Sequence, residues 1–378
     1  MIIDVHCHTF PSMLGPYGKR DLKTQQMYMQ RFVIHPATAV RRMDTGEIAD
    51  RSEYGIWDDN DKSPTGAYNV NFRAGRFGRL IWEKNGVGYY APVQSPNMQD
   101  MECSPEYVIA QMDFAGISMA VLQNAYLYGD LNDYFAEAVK KYPDRLIGSI
   151  QINEAFAFCN DQMVELRRAA DLGMGSLYFS VDRFFEVGYV YSYDDERFTP
   201  FWNLVRELEL TVLWDISAIE EPGDERLISY NRFMKQMLRF EAWHNRYPEI
   251  KCSLVHGAML RHLRIGDSGL RPVPEEFWRI WKRNNVYLEL LIPIQVSHPV
   301  ENGSIWDYPY LEAQPLLQET LSVLGSEKLM WGSDLPNSER NCTFKQCLTY
   351  LDHFGPALSK ADRELIFCQN AKRFFRIL

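Results

Sequence analysis

The sequence predicts an α/β fold, a (β/α)8 TIM barrel with a long insertion after its first strand. Short apolar or β-branched runs recur along the chain, and segments with helical periodicity lie between most of them. This alternation is typical of βα units around a parallel sheet, and eight units close one barrel. The predicted strands span residues 1–5, 119–124, 146–152, 175–181, 211–216, 252–256, 286–292 and 329–333.

The segments between these runs carry helix signals. Ser104 followed by Pro105 is typical of an N-cap and a first helical residue, and the apolar residues between positions 201 and 208 share one helical face. In a barrel of this type the functional residues lie at the carboxyl-terminal ends of the strands. Polar side chains at these ends are therefore the candidate functional residues.

The first βα connection is far longer than the others. About a hundred residues separate the first strand from the next helix, against a usual connection of about 2–6. Asn85-Gly86 lies between two apolar runs there and predicts a β-hairpin. We interpret residues 1–378 as a single barrel domain in which residues 9–104 form a lid or subunit-contact insertion.

Composition excludes several classes of protein. Hydrophobic residues make up 46% of the chain and charged residues 24%, which is typical of a globular protein. A formal charge of −10 argues against nucleic acid or an anionic membrane as a partner. Neither a signal peptide nor a membrane-spanning run is present, and the seven cysteines form no C-x-x-C pair. These features predict a cytoplasmic protein.

His6 and His8 follow the first predicted strand. Because side chains alternate along a strand, both imidazoles are expected on one face and Cys7 on the other. Two neutral imidazoles at a strand end suit a divalent metal. The motif alone is equally consistent with two ordinary polar residues where a strand runs into a loop.

Two other strand ends carry matching chemistry. Asp334 follows the eighth strand, which neighbours the first in a barrel, so it can act as a metal ligand, as a general base, or merely as a helix cap. His256 ends the sixth strand and is followed by glycine. Three such features at one mouth favour a site over coincidence, with Asp334 and His256 as the candidate catalytic residues.

These motifs resemble those of the amidohydrolase superfamily, with D-x-H-x-H at the first strand, V-H-G at the sixth and W-G-S-D-x-P at the eighth. The resemblance is to the branch that contains aminocarboxymuconate semialdehyde decarboxylase and γ-resorcylate decarboxylase, and it covers the chain apart from the insertion. It implies that His6, His8 and Asp334 bind a divalent metal. It also implies that His256 binds a second metal or contacts the substrate.

The chain departs from this family at other strands. The fourth strand lacks the usual histidine or carbamylated lysine, and the fifth offers Asp215 where a histidine is common. Glu289 lies inside an apolar strand, where a carboxylate is costly unless paired or coordinated, so we interpret it as a metal ligand or a polar contact. His35 in the insertion either completes the site or is a loop histidine.

The sequence leaves three functions open. The first is hydrolysis or non-oxidative decarboxylation of a small carboxylate- or amide-containing substrate, assisted by one or two divalent metal ions. The second is oxygen activation at a dinuclear Mn/Fe or di-iron centre that hydroxylates a small amine or acid. If Asp215 and Glu289 join Asp334 and the histidines as metal ligands, the set is oxygen-rich and suits Mn or Fe as well as Zn. Such a set resembles that of a divergent sub-branch of the same family whose members hold Mn/Fe or di-iron centres. The third is an inactive barrel that serves as a partner subunit.

Substrate contacts and association are further expectations. Asn124, Tyr126 and Ser180 are possible substrate-binding residues because they follow predicted strands. Aromatic side chains of the insertion, if exposed, exceed what a monomer surface usually carries. They predict a homodimer or a heteromer with a related chain, and the residues concerned are Trp57, Trp82, Tyr89 and Tyr90.

Overall fold

Eight parallel strands form the centre of the molecule. The computed structural model describes residues 1–34, 39–216, 225–259, 273–291, 308–311 and 314–377. Neighbouring strands of the sheet follow one another along the chain, apart from the strands of the insertion. In sheet order they are β1 (Ile3–Cys7), β6 (Met119–Leu122), β7 (Leu146–Ile150), β8 (Ser176–Ser180), β9 (Thr211–Asp215), β10 (Cys252–Leu254), β11 (Val286–Leu290) and β12 (Leu329–Trp331).

The two ends of this sheet approach each other. His8 donates its backbone N–H to the carbonyl of Leu335 at 2.7 Å, and Asp334 donates to the carbonyl of His6 at 2.8 Å. Cys7 and Leu335 form a parallel bridge, so the segment after β12 lies alongside β1. The sheet is therefore a near-closed, TIM-like barrel, as predicted. Its first strand extends two residues further than expected and includes His6.

The described helices lie mainly between the strands. Ser104 caps one of them, as predicted, because its side chain accepts the N–H of Tyr107, and Gly116 ends that helix in a left-handed conformation. The helices are α1 (Leu22–Phe32), α2 (Arg51–Tyr54), α3 (Pro105–Ala115), α4 (Asn132–Lys141), α5 (Asn160–Asp171), α6 (Thr199–Glu207), α7 (Glu225–Arg246), α8 (His256–Met259), α9 (Glu275–Trp281), α10 (Gln314–Leu324), α11 (Phe344–Thr349), α12 (Lys360–Glu364) and α13 (Asn370–Phe375).

The insertion after β1 contains a second, antiparallel sheet. Its central hairpin joins β4 (Arg79–Lys84) to β5 (Val87–Pro92) through Asn85 and Gly86, which have φ values of 53° and 75°. These positive φ angles are those of a type I′ turn, the turn that Asn-Gly favours, and they confirm the predicted hairpin. Two-residue strands, β2 (Arg41–Arg42) and β3 (Arg73–Ala74), pair with β5 and β4.

Aromatic side chains of the insertion form its own core. Trp82 stacks on Phe72 with ring centroids 5.3 Å apart, and its indole N–H donates to the carbonyl of Tyr54. Trp57, Trp82 and Tyr89 are all buried. Tyr90, the fourth aromatic, is half-buried. The exposure on which the dimer prediction depends is therefore not met for the three buried residues, and they give no support to the predicted dimer.

Two further expectations from the sequence concern membrane-spanning helices and disulfide bonds. No helix in the described part of the chain is long and apolar enough to cross a bilayer. All seven cysteines are free thiols, so the fold is held together without a disulfide framework.

Candidate metal centre

His6 and His8 converge at the carboxyl-terminal end of β1. Their imidazoles point to the same side, and their Nε2 atoms are 3.1 Å apart. Both side chains are buried, at 0% and 3% exposure. The alternation of side chains along β1 thus places both histidines in one site, as the sequence predicts.

The hydrogen bonds of the two Nδ1 atoms determine which nitrogen of each imidazole carries the proton. His6 Nδ1 donates to Glu289 Oε2 at 2.8 Å, and His8 Nδ1 donates to the carbonyl of Gln123 at 2.8 Å. Both partners are acceptors only, so in each neutral ring the proton is on Nδ1 and Nε2 carries a lone pair. Burial also lowers the pKa of His6, despite the nearby Glu289 and Asp334 charges that raise it.

Asp334 brings a carboxylate to the same point. Its φ of 57° is in the left-handed region, and its backbone N–H is held by His6 O. Oδ1 lies 2.9 Å from His8 Nε2 and 3.5 Å from His6 Nε2. Burial alone would raise the pKa of Asp334, but the surrounding histidines, including His256, hold this pKa well below its usual range. Asp334 is therefore an ionised ligand.

This arrangement fits a divalent metal ion. Two lone pairs and a carboxylate oxygen face one another within 4.8 Å, although they repel when no cation lies between them. Ligand atoms bound at about 2.0–2.2 Å lie about 3.0–3.5 Å apart around one ion, which matches the measured separations. Within the described ranges, His6, His8 and Asp334 thus form a divalent metal site.

His256 lies beside this site at the end of β10, where it opens the short helix α8. Its Nε2 is 3.5 Å from Asp334 Oδ2, and its Nδ1 is 3.7 Å from Asp215 Oδ1. Burial disfavours the charged form of His256, but Asp215 and Asp334 outweigh it and raise its pKa to about 9. Asp215 therefore lies behind His256 rather than among the three ligand atoms.

Glu289 lies behind His6. Its Oε2 accepts the His6 Nδ1 proton, and its Oε1 accepts a hydrogen bond from Gln123 Nε2 at 2.9 Å. With both oxygens used by protein donors, Glu289 orients His6. Its predicted role as a metal ligand stays a prediction.

The candidate substrate residues contact other protein groups. Asn124 Nδ2 donates to the carbonyl of Gly129, and Tyr126 donates its hydroxyl proton to Asp182. Ser180 donates to Asp215 Oδ2 at 2.9 Å, next to His256. A role in substrate binding stays a prediction for all three, and His35 lies outside the described residues.

Several site residues escaped sequence reasoning. Asp4 accepts hydrogen bonds from the backbone N–H of His6 and from both N–H and Oγ of Ser333, and thereby joins β1 to the segment after β12. Burial raises the Asp4 pKa to about 7. Gln123 was also missed: its backbone carbonyl accepts from His8, a contact that any residue could supply, and its side chain donates to Glu289. The D-x-H-x-H spacing was the available signal for Asp4.

A buried His-His-Asp group at the mouth of a parallel barrel defines a metal-dependent enzyme. The amidohydrolase family model matches residues 3–377, so the chain belongs to that family. The protein is a metal-dependent hydrolase or decarboxylase of the amidohydrolase superfamily. No curated protein matches the sequence significantly.

Solved structures with the same fold include hydrolases and decarboxylases. A probable 2-pyrone-4,6-dicarboxylic acid hydrolase from Acinetobacter baumannii, with citric acid bound, is 17% identical over 73% of this chain and 90% of its own, with a TM-score of 0.55. A 2,6-dihydroxybenzoate decarboxylase complexed with 2,6-dihydroxybenzoate is 17% identical over 72% and 88%, with a TM-score of 0.51. A dihydroxybenzoic acid decarboxylase from Polaromonas sp. JS666, with manganese and 2-nitroresorcinol bound, is 19% identical over 72% and 86%, with a TM-score of 0.50.

Proposed function

We propose that the protein hydrolyses or decarboxylates a small carboxylate substrate at one divalent metal ion held by His6, His8 and Asp334. The observation that carries this proposal is that the Nε2 atoms of both histidines lie 3.1 Å apart and the ionised Asp334 carboxylate lies 2.9 Å from His8 Nε2. A divalent ion there lowers the pKa of bound water or polarises a substrate carboxylate. Manganese is the first choice, because a related fold binds it and because mixed N/O ligation suits it.

His256 is the proposed proton-transfer residue. Its Nε2 faces the metal ligand Asp334, while Asp215 lies on its Nδ1 side and holds the ring in place. Ser180 in turn donates to Asp215, which fixes that carboxylate. A charged imidazole in this position donates a proton to the carbon that loses carbon dioxide or to the leaving group of a hydrolysis.

The experiment compares metal content and turnover in the complete chain. The protein is loaded with Mn²⁺ or Zn²⁺ and tested with and without oxygen on 2,6-dihydroxybenzoate and 2-pyrone-4,6-dicarboxylate, the compounds that the related folds suggest. We expect oxygen-independent product formation. His256→Gln keeps the metal and loses about 10²–10⁴-fold in rate, whereas His353→Gln, at an exposed position, changes neither.

Three results would contradict this proposal. Turnover that requires oxygen, with Mn and Fe both present, would favour the dinuclear oxygenase. Unchanged metal content in His6→Ala and His8→Ala would remove the site assignment. A chain that binds metal but is active only together with a related chain would favour the partner-subunit role. The predicted dimer is tested separately, by sedimentation.

A further inference from the structure

The metal ligand Asp334 receives a hydrogen bond from a residue three positions along the chain. Asn337 Nδ2 donates to Asp334 Oδ1 at 2.8 Å, and this oxygen is the one that faces both histidine Nε2 atoms. The backbone N–H of Ser338 also donates to the carbonyl of Asp334. The turn after β12 therefore fixes the ligand oxygen through the Asn337 side chain.

Asn337 can serve Asp334 in only one orientation of its amide. The opposite orientation would turn Oδ1 toward the carboxylate and cause repulsion. In the observed orientation Oδ1 accepts from Gln94 Nε2 at 2.6 Å and from the Tyr128 hydroxyl at 3.2 Å. The Tyr128 hydroxyl also accepts from Gln94 Nε2 at 3.1 Å, so its own proton is directed to Asn337 Oδ1 and both groups favour an oxygen at this position.

Gln94 belongs to the insertion, whereas the other orienting groups belong to the barrel. Gln123 and Glu289, which orient the two histidines, lie after β6 and in β11. Gln94 follows β5 and is 5% exposed. Its backbone N–H donates to the carbonyl of Gly78. The two backbones are so close that a Cβ added to Gly78 would lie 2.2 Å from the carbonyl oxygen of Gln94. The hairpin of the insertion therefore places this side chain.

We propose that Gln94 and Asn337 are positioning residues of the metal centre. Gln94 holds the Asn337 amide in the one orientation that donates to Asp334, so the insertion helps to build the site in addition to any role as a lid. This inference rests on the proposed metal site. It predicts that metal affinity depends on a residue of the insertion that contacts no ligand itself.

The test measures Mn²⁺ affinity by competition with a chromophoric chelator, in the complete chain. Asn337→Leu removes the hydrogen bond to Asp334 at similar volume and is expected to weaken binding about 10- to 100-fold. Gln94→Met keeps the shape of the side chain and is expected to weaken binding roughly 10-fold or less. The double variant should bind no more weakly than Asn337→Leu, because Gln94 acts through Asn337.

Asn97→Ala is the matched control. Asn97 also joins the insertion to the same turn, since its amide donates to Tyr107 and to Glu339, but it makes no contact with Asn337 or Asp334 among the described residues. It should leave Mn²⁺ affinity unchanged. Melting of the metal-free variants establishes that each is folded.

The outcomes separate this inference from the proposed function. A wild-type chain that binds no metal refutes the proposed function. Wild-type binding that is equally tight in folded Asn337→Leu refutes only the positioning role. The positioning role is also overturned if Asn337→Leu and Gln94→Met weaken Mn²⁺ binding independently, so that their effects multiply in the double variant. It is overturned as well if Asn97→Ala loses as much Mn²⁺ affinity as Gln94→Met does. If Asn337→Leu does not fold, the comparison of Mn²⁺ affinity between Gln94→Met and Asn97→Ala decides whether the positioning role holds.

Discussion

Glu289 accepts the Nδ1 proton of His6 across 2.8 Å, so this carboxylate lies at the opposite end of the imidazole ring from Nε2, the nitrogen that faces the metal site. Gln123 occupies the second oxygen of Glu289. A carboxylate in this position makes the ring more basic and fixes its orientation. We therefore expect the pair to control how firmly His6 binds an ion.

Glu289→Gln is expected to weaken metal binding about 10- to 100-fold. A glutamine has one acceptor oxygen and cannot serve both His6 and Gln123, which both donate at this position. Isothermal titration with Mn²⁺ measures both the affinity and the stoichiometry. The stoichiometry at saturation should be unchanged, and a fall from two ions to one would instead identify Glu289 as a ligand.

Chelation is expected to lower the melting temperature of the protein. An ion at 100 times its dissociation constant stabilises the folded state by about 2.7 kcal/mol. The effect should vanish in His8→Ala, because His8 Nε2 faces both other ligand atoms. An equal metal-dependent rise in His8→Ala would place the ion elsewhere, and His353→Ala provides the comparison at an exposed histidine.

Gly78→Ala and Gly86→Ala form a matched pair in the insertion. Both glycines have positive φ, 74° and 75°, so both substitutions carry a backbone cost of about 1–2 kcal/mol. A Cβ at Gly86 meets nothing within 4 Å, whereas one at Gly78 would meet Gln94 O at 2.2 Å. Gly78→Ala should therefore destabilise the protein by roughly 3 kcal/mol or more and weaken metal binding as well. Denaturant titration would contradict this if the two variants were equally stable.

Glu154 is expected to make the stability of the protein depend on pH. Burial raises its pKa from 4.5 to about 7, although Arg183 lies 3.6 Å away and lowers it. Because the folded state binds this proton more tightly than the unfolded state, the stabilisation is complete below pH 4.5 and is lost as the pH rises through 7.

Glu154→Gln removes that titration and keeps an acceptor for the backbone N–H of Ser180. The unfolding free energy of the wild type should fall by about 2.5 kcal/mol relative to Glu154→Gln between about pH 5 and about pH 8. Urea denaturation at both pH values measures the difference. A constant difference would show that Glu154 is ionised throughout.

The strands of the barrel could be predicted because each is a short apolar run between helical segments. The same reasoning found His6, His8 and Asp334, since strand ends of a parallel barrel share one mouth. It failed for the two-residue strands Arg41–Arg42 and Arg73–Ala74, which are too short to show a period.

The contact between Gln94 and Asn337 also lay beyond sequence reasoning. It spans 243 positions and joins two amides, which carry no charge or spacing that distinguishes them from surface residues. Burial of Trp57 and Trp82 was equally hidden, because an aromatic residue packs as readily into the insertion's own core as onto a partner.

The ligands at positions 6, 8 and 334 tie metal binding to closure of the barrel. The two histidines lie at the first barrel strand, whereas the carboxylate follows the last one, 326 positions after His8. A chain whose last strand has not yet paired beside the first therefore offers an ion only two nitrogens. We expect binding of full strength only after that pairing, so that a tightly bound ion reports a closed barrel.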